Sequence, residues 1–385
     1  MLSLRISFKN FKTKKYKISK IKILLNNLLK EENQVLKSLS KNYKNFYNSE
    51  IVKKYKNFSN FRIIGIGGSS LGTKTIYDFL KFKIKKNFLF IDNLHVKRKI
   101  KKNEKYLNFV VSKSGNTIET IVNSNIIIKK NDKNIFITED KKNYLNLLAK
   151  KLKSEIVHHN NFIGGRYSVL SEVGMLPSEF MGLNVKDFKQ YNSLIKNKKF
   201  INSLINNVSS TLYFINKKRL NSVIINYDEN SESLFKWYQQ LVAESLGKKK
   251  KGLLPIVSNM PKDNHSVMQL YLDGSQNNFF TFFYVHEKNS EKINNSKILE
   301  PQKFLKGKNL SNITYAQKIA TEKVFKTKNI PFRSFEIKKR DEKTLGELFC
   351  FFILETILLG KSLNLNPYDQ PAVELIKQET KKILI

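Results

Sequence analysis

Phe61-Arg62-Ile63-Ile64-Gly65-Ile66-Gly67-Gly68-Ser69-Ser70-Leu71-Gly72-Thr73 is the stretch on which the fold turns. An apolar run, Phe61–Ile66, reads as a buried strand; glycines and serines then make a turn, and Thr73–Phe82 reads as a helix. The turn departs from two familiar phosphate-binding patterns. Ser70 stands where a dinucleotide-binding G-x-G-x-x-G needs its last glycine, and Thr73 stands where a nucleotide hydrolase loop needs lysine after Gly67 and Gly72. What remains is generic: glycines that let a ligand approach the backbone and a helix start that favours anions. A plain tight turn fits the same residues equally well.

The unit recurs on both sides of this stretch. Leu107–Val111 and Asn134–Thr138 read as strands, followed by helices over Ile118–Lys129 and Tyr144–Leu152. After a lysine-rich stretch at Lys196–Asn202, strands Ser222–Asn226, Phe279–His286 and Phe332–Ile337 alternate with helices Glu232–Leu246, Tyr315–Thr327 and Thr344–Leu359. Glu374–Ile383 closes the chain as a helix after Pro367 and Pro371. Short apolar strands alternating with helices predict an α/β fold with mostly parallel sheets covered on both faces. The expected organisation is a helical arm over 1–50, α/β domains over 51–200 and 201–360, and a closing segment with its helix over 361–385. No repeat of 20–50 residues is visible. Ligands of such sheets bind beyond the carboxyl ends of the strands, which points to the turns Gly67–Gly72 and Ser112–Thr117.

Composition bounds the partners. The 385 residues carry a formal charge of +38, nearly all of it from lysine, because arginine occurs only at positions 5, 62, 98, 166, 219, 333 and 340. The lysines are spread along the chain among abundant Asn, Ile and Phe, a pattern of AT-rich codon usage. No nucleic-acid motif or aromatic-interleaved basic patch accompanies them, so nucleic acid is not an expected partner. A positive field attracts an anionic substrate all the same. The lone cysteine, Cys350, lies in an apolar run and reads as a core thiol in a reducing compartment. Met1–Lys20 lacks the apolar core of a secretory signal. Leu348–Leu359 contains Glu355 and is too short to span a bilayer. A cytoplasmic, soluble protein without a membrane partner is expected.

Five further motifs carry chemistry, each with a bland alternative. Ser112-Lys113-Ser114-Gly115-Asn116-Thr117 leads into a helix with three hydroxyls, an ammonium and free helix-start amides, a set suited to phosphate; a helix cap needs only one of those hydroxyls. Gly164-Gly165-Arg166-Tyr167-Ser168 retains an arginine where lysine is the default cation, as a site needing a planar donor fork would; a surface arginine is the alternative. Gln240 and Glu244 stand four apart on one helix face, which spacing alone reads as solvated. His265, in Lys262-Asp263-Asn264-His265-Ser266, is either an acid–base group beside an aspartate or an idle turn histidine. In Asn366-Pro367-Tyr368-Asp369-Gln370-Pro371-Ala372-Val373-Glu374-Leu375-Ile376-Lys377, Gln370 and Lys377 face a cleft together or, for Lys377, add one more surface lysine. No Cys/His/Asp spacing suggests a metal, and no cofactor is expected.

Together and in this order, GIGGSSLG, SKSGNTIET, GGRYSVLSEVG, QQLVAESLGK, KDNHSVMQLYLDG and NPYDQPAVELIK resemble the phosphoglucose isomerase family, from Phe61 to about Lys377. The resemblance implies two sugar-isomerase (SIS) domains, each an α/β/α sandwich. It implies an aldose–ketose isomerase that interconverts glucose 6-phosphate and fructose 6-phosphate by ring opening and proton transfer through a cis-enediol(ate). It gives Glu244 the proton shuttle between C2 and C1, His265 the ring opening, Lys377 help at the ring oxygen and Arg166 the enediolate. Ser112, Lys113, Ser114 and Thr117 resemble the phosphate cradle; Gly68, Ser69, Gln240 and Gln370 match positions lining the sugar. A homodimer is implied, with His265 supplied by the neighbouring subunit. The chain departs from the family at Glu172, where a small residue or proline is usual and where a charge near Arg166 would soften that arginine. It departs also at Ser275 and in the basic insert Lys248–Lys251. A non-catalytic sugar-phosphate-binding protein on the same domains is the alternative, and retention of Glu244, His265, Arg166 and Lys377 argues against it.

Overall fold

The computed structural model describes residues 2–95, 105–129 and 131–385; Arg98 lies outside them. The chain opens with strand β1 (Ile6–Lys9) and helices α1 (Ile18–Lys30), α2 (Gln34–Ser38) and α3 (Ser49–Lys54). The first α/β run is β2 (Asn60–Ile64), α4 (Leu71–Phe79), β3 (Asn87–Ile91), β4 (Leu107–Val111), α5 (Ile118–Ile127), β5 (Lys133–Glu139), α6 (Tyr144–Lys151) and β6 (Glu155–His159). Helices α7 (Glu172–Phe180), α8 (Tyr191–Leu194) and α9 (Lys198–Asn216) follow. The second run is β7 (Asn221–Asn226), α10 (Glu232–Leu246), β8 (Leu254–Asn259), α11 (Met268–Asp273), β9 (Asn278–Val285), α12 (Leu310–Thr327), β10 (Phe332–Ile337) and α13 (Glu342–Ser362), with α14 (Val373–Leu384) at the end.

Two five-stranded sheets result. The first is parallel throughout, in the order β3-β2-β4-β5-β6. The second runs β1-β10-β9-β7-β8 and is parallel except for β1, which pairs antiparallel with β10. The α/β class and the mostly parallel sheets expected from the sequence are observed. Interior strands such as Leu107–Val111 and Asn278–Val285 are buried at every residue, because helices cover both faces. The N-terminal arm is not purely helical: Ile6, Ser7, Phe8 and Lys9 complete the second sheet. The lysine-rich stretch at 196–202 runs into α9, so residue 200 lies inside a helix.

One large core cluster takes in side chains of both sheets, with α10 and α13 at its centre. The α13 helix is buried along nearly its whole length despite Glu347 and Glu355. Glu355 is tolerated there because Arg333 of β10 and Asn207 of α9 hydrogen-bond its carboxylate. Among the described residues, no helix is long and apolar enough to cross a membrane.

In the first sheet the strand order reverses between β2 and β4, which makes the gap above their carboxyl ends a topological switch point. Both turns singled out in the sequence, after Ile64 and after Val111, leave the sheet there. They abut: a Cβ placed on Gly65 would lie 2.8 Å from Val111 O and 3.0 Å from Ser69 Cβ.

Candidate active site

Arg166 organises the site. It sits in a 3-10 segment, Gly165–Leu170, and is 2% exposed. A buried guanidinium requires an acceptor for each of its five N–H groups, and each has one. Nε donates to Ser245 Oγ at 2.8 Å, and Nη2 donates to Pro367 O at 2.7 Å and Asp369 O at 3.0 Å. Nη1 donates to Glu244 Oε2 at 3.3 Å and to Gln370 Oε1. A lysine could satisfy three of these at most, which is the physical reason that arginine stands here. Trp237 Nε1 donates to the Arg166 carbonyl at 3.0 Å, locking the backbone of the 3-10 segment onto α10.

Gln240 and Glu244 do share one face of α10: Gln240 Nε2 donates to Glu244 Oε1 at 2.8 Å. Glu244 is about one-quarter exposed and lines a cavity of about 550 Å³ together with Lys248, Asn366, Gln370 and Val373. Its carboxylate is therefore oriented through both oxygens, by an amide on one and a guanidinium on the other. Gln240 Oε1 is buried and has no hydrogen-bond partner among the described residues, an acceptor suited to a ligand hydroxyl. Gly68 lies against the arginine segment so closely that a Cβ there would be 2.2 Å from the Gly165 carbonyl carbon. Ser69 ends the same turn. Arg166, Glu244, Gln240, Gln370 and Gly68 are thus brought together.

The second turn forms a cradle beside the first. Ser112 Oγ and Thr117 Oγ1 are 2.8 Å apart, and Ser114 Oγ accepts from Asn116 N at 3.3 Å. The cap alternative is not realised at Thr117, whose side chain makes no capping bond, so the first-turn amides of α5 stay open. Lys113 Nζ lies 3.3 Å from Glu139 Oε1. Gly115, at φ +66°, turns the chain where Asn143 Oδ1 would be 2.1 Å from any Cβ; the turn is then fastened to α6 through Asn116 Oδ1 and Tyr144 N, 3.0 Å apart.

His265 and Lys377 stand elsewhere. His265 ends an exposed turn and has no hydrogen-bond or ion-pair partner among the described residues. Lys377 pairs with Glu374 at 2.5 Å on α14, which buries none of its residues. Glu172 makes no hydrogen bond or ion pair with Arg166; fully buried, its carboxyl accepts from Asn160 N and Tyr43 and lies 2.6 Å from His159 Nδ1.

Two residues escaped the sequence reading. Ser245 accepts from Arg166 Nε and lies 2.8 Å from the Tyr167 hydroxyl, and its position beside Glu244 was the available signal. Lys248 ion-pairs with Asp369 at 2.6 Å and so clasps the segment that delivers Gln370. That hydrogen bond, together with the lysine's charge, holds the Asp369 carboxyl below the usual range. Among the described residues no group of three or more His, Cys, Asp or Glu side chains converges as a metal site.

A family model described as phosphoglucose isomerase matches residues 17–385. The glucose-6-phosphate isomerase of Methanocaldococcus jannaschii is 33% identical over 346 residues, covering 83% of this chain and 82% of its own. That of Mycoplasmopsis pulmonis is 31% identical, with 100% of this chain and 98% of its own covered. The crystal structure of a hypothetical protein from Thermus thermophilus superposes with a TM-score of 0.80 at 23% identity, over 95% of this chain and 94% of that one, a likeness of fold.

Proposed function

Because the chain belongs to the phosphoglucose isomerase family, we propose that it interconverts glucose 6-phosphate and fructose 6-phosphate at the cluster around Glu244. The observation that carries this reading is the Glu244 carboxylate, oriented by Gln240 and Arg166 at the edge of a cavity.

The chemistry needs three things. A ring-closed sugar must open, which takes a proton to the ring oxygen and removes one from the C1 hydroxyl; an imidazole near neutrality suits both transfers. In this reading His265 performs that step from the partner subunit, and Lys377 assists at the ring oxygen. Next, C2–H beside the carbonyl gives its proton to Glu244, which returns it to C1. General acid–base catalysis supplies roughly 10²–10⁴-fold, so the charge of the enediolate must be met as well. Arg166 meets it with a guanidinium that keeps its proton throughout catalysis and whose Nη1 already points at Glu244. Third, the phosphate must hold C1 and C2 against the base. Ser112, Lys113, Ser114 and Thr117 take it, and its binding energy serves the reacting end of the molecule. Gly68, Ser69, Gln240 and Gln370 line the sugar, with the unpartnered Gln240 Oε1 accepting from a hydroxyl.

A homodimer in the cytoplasm, with each subunit built from two sugar-isomerase domains over about 51–200 and 201–360, completes the proposal. Its support is the exposed, unpartnered position of His265. Mixing inactive Glu244→Gln with inactive His265→Ala subunits tests it. If the histidine crosses the interface, each mixed dimer holds one competent site and turnover returns. No recovery in verified mixed dimers refutes the shared site.

A further inference from the structure

We infer that His159 and Glu172 are a positioning pair for Arg166, a buried imidazole–carboxyl contact that fixes the loop carrying the arginine; this rests on the isomerase reading above. His159 ends β6 and Glu172 begins α7, so the pair closes the loop from 160 to 171, which contains Gly164, Gly165 and Arg166. Both side chains are withdrawn from solvent.

The hydrogen bonds hold the pair from both ends. His159 Nε2 is 3.0 Å from Ile163 O, a carbonyl that can only accept, so Nε2 carries a proton. His159 Nδ1 is 2.6 Å from Glu172 Oε1. That oxygen also accepts from Asn160 N at 2.9 Å, and Oε2 accepts from the Tyr43 hydroxyl at 3.0 Å. Burial raises the carboxyl's pKa, but the hydrogen bond and charge of His159 and the Asn160 N–H outweigh it and hold the carboxyl below its usual range.

The pair therefore fastens the loop at two backbone points, Asn160 N and Ile163 O. The next residue, Gly164, accepts from Tyr167 N at 2.9 Å, and a Cβ on Gly165 would lie 3.6 Å from Gly68 Cα. A loop released at Asn160 and Ile163 lets Gly165 and Arg166 move, and with them the Nη1 that faces Glu244. Other titratable groups pack around the pair. Tyr43 donates to Glu172, and burial with that carboxylate pushes its hydroxyl far up. Tyr47 bonds Glu179 at 2.7 Å and is likewise pushed up, by burial first. Lys189 Nζ donates to Leu170 O and, at 2.5 Å, to Ser38 O, and burial lowers its pKa to about 7.

Steady-state kinetics of the wild type and Glu172→Gln test the pair. With the carboxyl gone, kcat should fall about tenfold or more through misplacement of Arg166, while KM changes by less than about threefold because the phosphate cradle is untouched. His159→Gln should show the same loss of kcat with KM little changed, and carries the test if the first variant does not fold. Wild-type kcat in either folded variant, or a loss confined to KM, overturns the pair. A wild type without turnover on glucose 6-phosphate refutes the isomerase reading itself.

Discussion

Replacing Gly68 by alanine should cripple turnover while leaving the protein folded. The added Cβ would lie 2.2 Å from the Gly165 carbonyl carbon and 2.5 Å from both Gly165 O and Arg166 N. All three are backbone atoms, so no rotamer relieves the clash. Ordinary contact begins at 3.4 Å, so the arginine segment or the Gly67–Ser69 turn must retreat by about 1.2 Å. Arg166 cannot follow such a shift and keep its five partners, since those on Ser245 and Glu244 belong to α10 and stay behind. A displacement of about 1 Å at a positioning group can cost roughly 10²-fold in rate, which is about 2.7 kcal/mol in the barrier. The overpacking adds a stability cost of about 1–3 kcal/mol. A coupled assay of glucose 6-phosphate formation gives kcat and KM, and a thermal melt gives the fold. A kcat within about threefold of wild type at an unchanged melting temperature would refute the claim that this contact sets the arginine's position.

Three other outcomes follow from the same geometry. Glu244→Gln keeps the side chain's size and removes the base, so calorimetry should still detect sugar-phosphate binding while kcat drops about 10³-fold or more; near-normal turnover would sink the assignment. Lys113→Ala with Ser114→Ala should raise KM by about tenfold or more and lower kcat less; a fall in kcat alone would contradict the cradle. Lys189 is lowered by burial from 10.5 to about 7, so its neutral form stabilises the fold above the ordinary lysine value, a contribution lost as pH falls toward 7. Between about pH 7 and 10.5, wild-type stability measured by urea melts should therefore rise relative to Lys189→Met by up to about 1.4 kcal/mol per pH unit; parallel profiles would show that the ammonium is not titrating there.

The strands divide cleanly by what the sequence made visible. The six delimited by apolar runs, β2, β4, β5, β7, β9 and β10, are the interior strands of the two sheets. The four not delimited, β1, β3, β6 and β8, are the edges. Interior strands are covered on both sides and become continuous apolar runs; an edge strand is half-wet and reads like a loop. β3 alternates exposed and buried residues, and β8 starts on an exposed Leu254 followed by Pro255. Within the site, the Gln240–Glu244 face and the reason for keeping Arg166 were legible because helical spacing and cation chemistry leave a trace in residue types. The carbonyls of Pro367 and Asp369 that hold Arg166 leave none, since every residue has a carbonyl. Lys248 stood out only as part of a basic insert, and no spacing in the sequence pairs it with Asp369. Glu172 looked like a threat to Arg166 because its partner, His159, lies across a loop that spacing does not close.

The pairing of β1 with β10 has a consequence for biosynthesis. Ile6 finds its partner at Ile337, so β1 must wait during synthesis for a strand far downstream in the chain. The first sheet, drawn wholly from residues 60–159, can assemble during that wait, whereas the second cannot be completed until β10 has been made. Closing so long a chain loop makes this the slow, high-contact-order step of folding.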